Sequence, residues 1–295
     1  MPRGPRCLSA ALGAALLLLS AVPMGAAETA PLQPPLPPQR IVSINVCTDQ
    51  LAMLLADPTR IVSVSFLAAD PASSAMAREA AGHHLNHGRA EEILPLRPDI
   101  VLAGPYGARA AVELLRHLGT RVVEVPLGDS LDDVPRQIRT VAAVLGEGPR
   151  GEALIQDFHR RMATVAPSGP RPVAALFAPN GITSGANSLP MAVMAAAGFD
   201  NLAARQGIAG VGRFSLEALV AARPDALILG RLTVEHPSLA TATLDHPALA
   251  HAVPAEAIIS VPHHLWACAT PHIAEAVARL AALRQRLDAA RKAVP

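Results

Sequence analysis

One stretch of this sequence occurs twice. Glu91-Glu-Ile-Leu-Pro-Leu-Arg97-Pro98-Asp99-Ile-Val-Leu-Ala-Gly104 and Glu217-Ala-Leu-Val-Ala-Ala-Arg223-Pro224-Asp225-Ala-Leu-Ile-Leu-Gly230 share the register Glu-x5-Arg-Pro-Asp-x4-Gly, 126 residues apart. The apolar runs that begin at Arg40 and Arg171 are offset by a similar 131 residues. A nearly constant offset means that one supersecondary unit is used twice, which constrains the chain to two similar halves in tandem. In the first half, strand-like runs at 40–45, 60–66, 99–103 and 121–125 alternate with helical patterns at 48–56, 89–96 and 108–118. Thr48 or Asp49 stands near the start of the first helix. In the second half, strands at 171–178, 226–229 and 257–261 alternate with helices at 189–197, 216–222 and 271–290, the last with Thr270 as N-cap and Pro271 at its first position. This alternation predicts an α/β fold of two lobes, each with a mostly parallel sheet flanked by helices.

Between the halves, 132–145 reads as helix, Gly146-Glu-Gly-Pro149 as a break, and 150–165 as a second helix about 24 Å long at about 1.5 Å per residue. The expected division is an N-terminal lobe at 40–145, a connecting backbone helix at 146–168 and a C-terminal lobe at 169–295. Lobes joined by one long helix rock but do not hinge far.

Residues 1–27 read as a cleavable signal peptide. Arg3 and Arg6 form its positive start, 8–22 its apolar run, and Gly25-Ala26-Ala27 a small-residue cleavage site. Export to the periplasm is the expectation, and no Cys at the cleavage site marks a lipid anchor. Pro31, Pro34, Pro35, Pro37 and Pro38 make 28–39 an extended tether. The charge balance, 25 Lys+Arg against 24 Asp+Glu, lacks the basic excess of a general nucleic-acid binder. Cys47 and Cys268 are left after the leader. They suit a disulfide in an oxidising compartment, buried thiols or soft-metal ligands, and sequence leaves all three open.

Six motifs, Arg40-Ile-Val-Ser-Ile-Asn45, Ile61-Val-Ser-Val-Ser65, Glu91…Arg97-Pro98-Asp99, Thr183-Ser-Gly185, Gly198-Phe-Asp-Asn-Leu202 and Phe214-Ser-Leu-Glu217…Arg223-Pro224-Asp225, follow in that order over about 40–287. In these the chain resembles the substrate-binding proteins of ABC importers for iron complexes and cobalamin, class III with a helical backbone. The resemblance implies two α/β lobes and a solute captured in the cleft between them. It also implies that one glutamate on each lobe, here Glu91 and Glu217, docks onto the inner-membrane permease. The cargo expected is a metal chelate, ferric siderophore first, then cobalamin or haem, with no intrinsic cofactor and a monomeric protein. Cobalamin binders of this kind frame the corrin with aromatic rings. This chain has five Phe, one Tyr and one Trp, and Val211 stands where such a relative has tryptophan.

Ligands of α/β lobes approach the loops at the carboxyl ends of the strands. That rule nominates Asn45, Cys47, Phe66, His87 and Tyr106 in the first half, and Asn180, Arg213, Arg231 and Trp266 in the second. Arg213 and Arg231 suit an anionic chelate. His83, His87, Tyr106 and His263 are the candidates for completing metal coordination, the first two as a pair only if the stretch between them is helical. An exported metal-dependent enzyme is the rival class. The sequence has no G-x-S-x-G elbow, H-E-x-x-H or P-loop, and Gly207-Ile-Ala-Gly-Val-Gly212 has the wrong glycine order for a dinucleotide site.

Overall fold

Short runs of branched apolar residues become the buried central strands of each parallel sheet, because helices cover both faces there. The structure, a computed structural model, describes residues 1, 36–230 and 238–293; the expected signal peptide, most of the tether and Arg231 lie outside the described residues. The first lobe runs β1 (Ile41–Ser43), α1 (Val46–Leu55), β2 (Ile61–Ser65), α2 (Ala77–Ala80), β3 (Leu85–Asn86), α3 (Ala90–Ile93), β4 (Ile100–Ala103), α4 (Arg109–His117) and β5 (Val122–Glu124). Its sheet has the order β3-β2-β1-β4-β5, all parallel. Helices α5 (Asp133–Leu145) and α6 (Gly148–Ala163) follow.

The second lobe runs β6 (Val173–Phe177), β7 (Ile182–Ser184), α7 (Leu189–Ala196), β8 (Asp200–Asn201), α8 (Leu202–Arg205), β9 (Val211–Arg213), α9 (Leu216–Ala222), β10 (Ala226–Leu229), α10 (Leu239–Ala242), α11 (Ala248–Ala252), β11 (Ile258–Ser260) and α12 (Ile273–Ala293). Its main sheet, β11-β10-β6-β8, is also parallel, and β7 pairs with β9 as an antiparallel ribbon. The two sheets correspond: β2-β1-β4-β5 in one matches β8-β6-β10-β11 in the other. Helix α6, 16 residues long, joins the lobes as the long-helix pattern predicts. Among the described residues no helix is long and apolar enough to cross a membrane.

The repeated motif now has a physical account. Glu91 and Glu217 occupy the second position of α3 and α9. The helical path ends at Arg97 (φ 46°, ψ 58°) and Arg223 (φ 45°, ψ 62°), both left-handed. The proline that follows cannot continue a helix. Each aspartate then staples the motif to the start of the central strand of its sheet. Asp99 accepts from the backbone N–H of Gln39 (2.7 Å) and Arg40 (2.9 Å), and Asp225 from that of Val173 (2.7 Å). In return the Asp99 and Asp225 N–H groups donate to the carbonyls of Arg40 (2.9 Å) and Val173 (2.8 Å). The motif recurs because it sets the edge of a parallel strand pair in both lobes.

Several boundaries differ from expectation. Asn45, not Thr48 or Asp49, is the N-cap of α1; its side chain accepts from Cys47 N–H (3.0 Å), and this starts the helix two residues early. The helix expected at 89–96 splits into one α turn and a 3-10 turn at Leu94–Leu96, where Pro95 removes a donor. The last helix begins at Ile273, whose N–H donates to Thr270 O (3.1 Å), instead of at Pro271. Strands β3, β7, β8 and β9 were not expected; two or three residues carry no readable period.

Candidate functional site

The loops after β1, β2, β3 and β4 carry the first wall of the site. Asn45 is wedged in place: a Cβ on Gly104 would sit 2.6 Å from the Asn45 Nδ2, so only glycine lets the end of β4 approach this closely. Phe66 is 46% exposed and stacks on His87, with ring centroids 5.0 Å apart and planes 24° from parallel. Glu92 pins that histidine. His87 N–H donates to Glu92 Oε2 (2.6 Å), and His87 Nδ1 lies 3.3 Å from Oε1. The His87 backbone bond is the main reason the Glu92 carboxyl sits below its ordinary range. Tyr106 stands 71% exposed in the loop after β4.

Behind these loops lies a buried polar layer that the sequence reading did not pick out. Asn86 Nδ2 donates to Ser43 O (3.0 Å), Ser63 Oγ (2.8 Å) and Val64 O (3.0 Å), and its Oδ1 accepts from Gly88 N–H (3.0 Å). One amide thus ties three strands to the turn that carries His87. Asp49, fully buried in the first turn of α1, accepts from the backbone N–H (3.1 Å) and hydroxyl of Ser65, the residue before Phe66. Burial pushes the Asp49 carboxyl up to about 6, against the hydrogen bonds of Ser43 and Ser65 that pull it down. The signal for this layer was available as Ser, Thr, Asp and Asn inside otherwise apolar strand and helix faces.

The second wall is a cavity of about 470 Å³ at the carboxyl end of the second sheet. Ile182, Pro190, Val211 and Trp266 give it apolar sides, and Asn180, Thr183, Ser184 and His263 are polar residues among its lining. The β7/β9 ribbon supplies part of that wall. Ile182 faces Arg213 and Ser184 faces Val211 across the ribbon, so all four side chains lie on one face, with Arg213 exposed and outside the cavity's lining. Val211 is 76% exposed. A Cβ on Gly185 would meet Ile208 O at 1.9 Å, which shows how closely the ribbon is laid against the segment after α8. Asn180 adopts a left-handed backbone (φ 60°, ψ 23°) in the turn after β6. Burial, and secondarily the neighbouring His264, hold the His263 imidazole below its ordinary range, so it is neutral at pH 7. Trp266 is only 3% exposed; it is a core residue with one edge on the cavity. Ile182 escaped the sequence reading, which singled out Val211 only as the position where a cobalamin-binding relative has tryptophan.

The remaining candidates separate. Cys47 and Cys268 are joined in a disulfide (Cα–Cα 5.3 Å), which removes both thiols from any metal-ligand role and brings carboxyl-end loops of the two lobes together. His83 lies 3.3 Å through its Nδ1 from Ile61 O, at the amino end of β2, away from His87 at the carboxyl side. The stretch between them is β3, not a helix, so the i,i+4 pair does not form. Among the described residues no three His, Cys, Asp or Glu side chains gather to hold a metal ion. Glu91 and Glu217 are exposed at equivalent positions of the two lobes. The Glu217 carboxyl is held below its ordinary range by its own backbone N–H, then by the Ser215 hydroxyl, so it is ionised at neutral pH.

Comparison with known proteins accords with this geometry. The family model described as periplasmic binding protein matches residues 41–256. A protein of Halobacterium salinarum described as cobalamin-binding is 26% identical over 199 residues, 65% of this chain and 54% of that one, in each of two strains. The chain therefore spans about half the length of the curated relatives it matches. Among solved structures, the periplasmic haem-binding protein RhuT from Roseiflexus sp. RS-1 superposes with a TM-score of 0.69 at 25% identity, covering 84% of this chain and 98% of that one. A structure described as an ABC-type Fe3+-hydroxamate transport system, from Saccharomonospora viridis, gives a TM-score of 0.64 at 22% identity over 84% of this chain and 93% of its own, a likeness of fold.

Proposed function

The chain belongs to the periplasmic binding protein family, and from that premise we infer that it captures a tetrapyrrole-type metal chelate, haem or a cobalamin, and delivers it to an ABC permease. One observation carries the choice of cargo: both walls present ring or branched aliphatic side chains beside a few polar groups. Phe66 stacked on His87 and the exposed Tyr106 line one side, while Ile182, Pro190 and Val211 line the other. Walls of this kind bury the face of a large flat macrocycle, at roughly 25 cal/mol per Å² of apolar area removed from water. A trihydroxamate or catecholate shell presents mostly oxygen and asks for a lining of donors. Arg213, exposed on the ribbon, suits peripheral carboxylates of the macrocycle. This reading reverses the order expected from sequence, where scarcity of aromatic rings put ferric siderophore first. Two well-placed rings and a branched aliphatic wall serve a macrocycle as several rings would. The relatives described as cobalamin-binding and haem-binding support the same class of cargo.

Residues 1–27 supply the export signal in this reading, and Glu91 and Glu217 are the permease contacts. Being held at matched sites on two matched lobes, they present two like charges to a symmetric partner. The cargo is tested with the sole tryptophan. Trp266 borders the cavity, so haemin or cyanocobalamin bound there quenches its emission by energy transfer. Saturable quenching by one of them at micromolar concentration is expected. Saturable binding of ferrioxamine B with no response to either tetrapyrrole refutes the assignment and restores the siderophore.

A further inference from the structure

We propose that the Cys47–Cys268 disulfide is a positioning element of the ligand site: it joins the loop after β1 to the loop after β11 across the floor between the walls, and so fixes Asn45 and Trp266 relative to one another. The proposal takes its cargo from the reading above, while the geometry of the link stands without it.

The bond connects residues 221 apart in sequence, one in each lobe. Cys47 is the second residue of α1, and its N–H is already held by the Asn45 side chain (3.0 Å). Asn45 in turn fills the space over Gly104. The chain from β4 through Asn45 to Cys47 is therefore stiff. On the far side Cys268 is buried two residues after Trp266, and Cys268 O accepts from Thr270 N–H (2.8 Å), so the turn into α12 is closed around it. Gln50, one turn further along α1, places its Nε2 3.6 Å from the Cys268 sulfur. The loop after β5 closes the same seam: a Cβ on Gly128 would lie 2.4 Å from the Ala269 Cβ.

Holding the lobes together is not what this bond adds. Leu55, Ile138 and Phe158 already share one hydrophobic cluster with Trp266, Ile273 and Val277, so a common core joins the halves. The disulfide lies at the carboxyl-end edge of that core, where Cys47 is half-buried and the loops that carry the walls begin. A cleft whose two walls are pre-set binds a rigid macrocycle without having to order its own loops first, and this lowers the cost of binding. Without the link, Asn45 and the segment from Trp266 to Cys268 are held relative to one another only through that shared core.

The test compares oxidised protein, the Cys47→Ala/Cys268→Ala double variant, and wild type reduced with a phosphine and then re-oxidised. Alkylation and mass measurement count the thiols, and far-UV circular dichroism checks the fold. Two readouts are taken: acrylamide quenching of Trp266 without ligand, and the Kd for haemin and cyanocobalamin. Opening the bond is expected to raise Trp266 quenching and to weaken tetrapyrrole binding about tenfold, with both restored on re-oxidation. Unchanged quenching overturns the proposal, as does a Kd within about twofold of wild type in a folded variant, since pre-ordering then contributes nothing. Should the double variant fail to fold, the reduced wild type decides. Should oxidised wild type bind neither tetrapyrrole, the cargo reading fails and the quenching comparison alone decides the link.

Discussion

Asp49 should make the protein less stable as pH rises through the weakly acidic range, and Asp49→Asn should abolish that loss. The carboxyl is fully buried in the first turn of α1, with Ser65 donating twice to it. Burial raises it from 3.8 to about 6 in the fold. Below pH 3.8 it is protonated in both folded and unfolded chains and contributes no pH dependence. Between 3.8 and about 6 the folded protein keeps a proton that the unfolded chain has released, so stability falls with each step in pH. Above that window the buried carboxylate is charged in both states and its cost is constant. At about 1.4 kcal/mol per pKa unit, the rise from 3.8 to about 6 amounts to about 3 kcal/mol. Asparagine keeps the shape and an oxygen to accept the Ser65 N–H but does not titrate. Urea unfolding of both proteins from pH 4 to pH 7 isolates the effect, because every other titrating group cancels in the difference. Relative to wild type, the variant should gain about 2.5 kcal/mol over that range, or about 5 °C in Tm for a chain of this size. Parallel stability curves, with a difference constant to about 0.5 kcal/mol, would show that Asp49 titrates in the fold as it does in water and would refute the reasoning.

Asp99→Ala and Asp225→Ala should each cost about 1–2 kcal/mol by leaving strand-start N–H donors without their acceptor, and the double variant should cost the sum; strong non-additivity in urea melts would contradict independent staples in separate sheets. Gly185→Ala drives a Cβ into Ile208 O and should lower both Tm and tetrapyrrole affinity, whereas Gly82→Ala, with nothing within 4 Å, should change neither; equal effects would show that the ribbon is not tightly laid. Glu91→Lys with Glu217→Lys should abolish uptake in cells while leaving the Kd for the cargo unchanged, and normal uptake by the double variant would remove these residues from the permease contact.

How far sequence reached depended on whether the determinant was local. Arg97 and Arg223 are left-handed because a proline and a strand-capping aspartate follow at once, and that grammar is complete within a few residues; the repeat, the parallel sheets and the connecting helix were legible for this reason. The cysteine pair was not, because 221 residues separate two side chains whose distance only the assembled lobes define. Asp49 read only as a residue near the start of the first helix, and its burial against Ser65 at the end of β2 depends on how helix and sheet pack. Trp266 read as a cleft-facing loop residue, yet assignment to a loop says nothing of depth, and it is nearly all core. Duplication itself explains the pattern of success. What the lobes share, the motif ending in Gly104 and Gly230 with Glu91 and Glu217 at matched tips, is visible by comparing the chain with itself and suits a task done twice. What selects the ligand must differ between the lobes: Ile44-Asn45-Val46-Cys47 follows β1, where Ala178-Pro179-Asn180-Gly181 follows β6. An internal repeat cannot reveal residues that occur once, so the binding loops are where a reading by self-comparison has to stop and three-dimensional proximity has to take over.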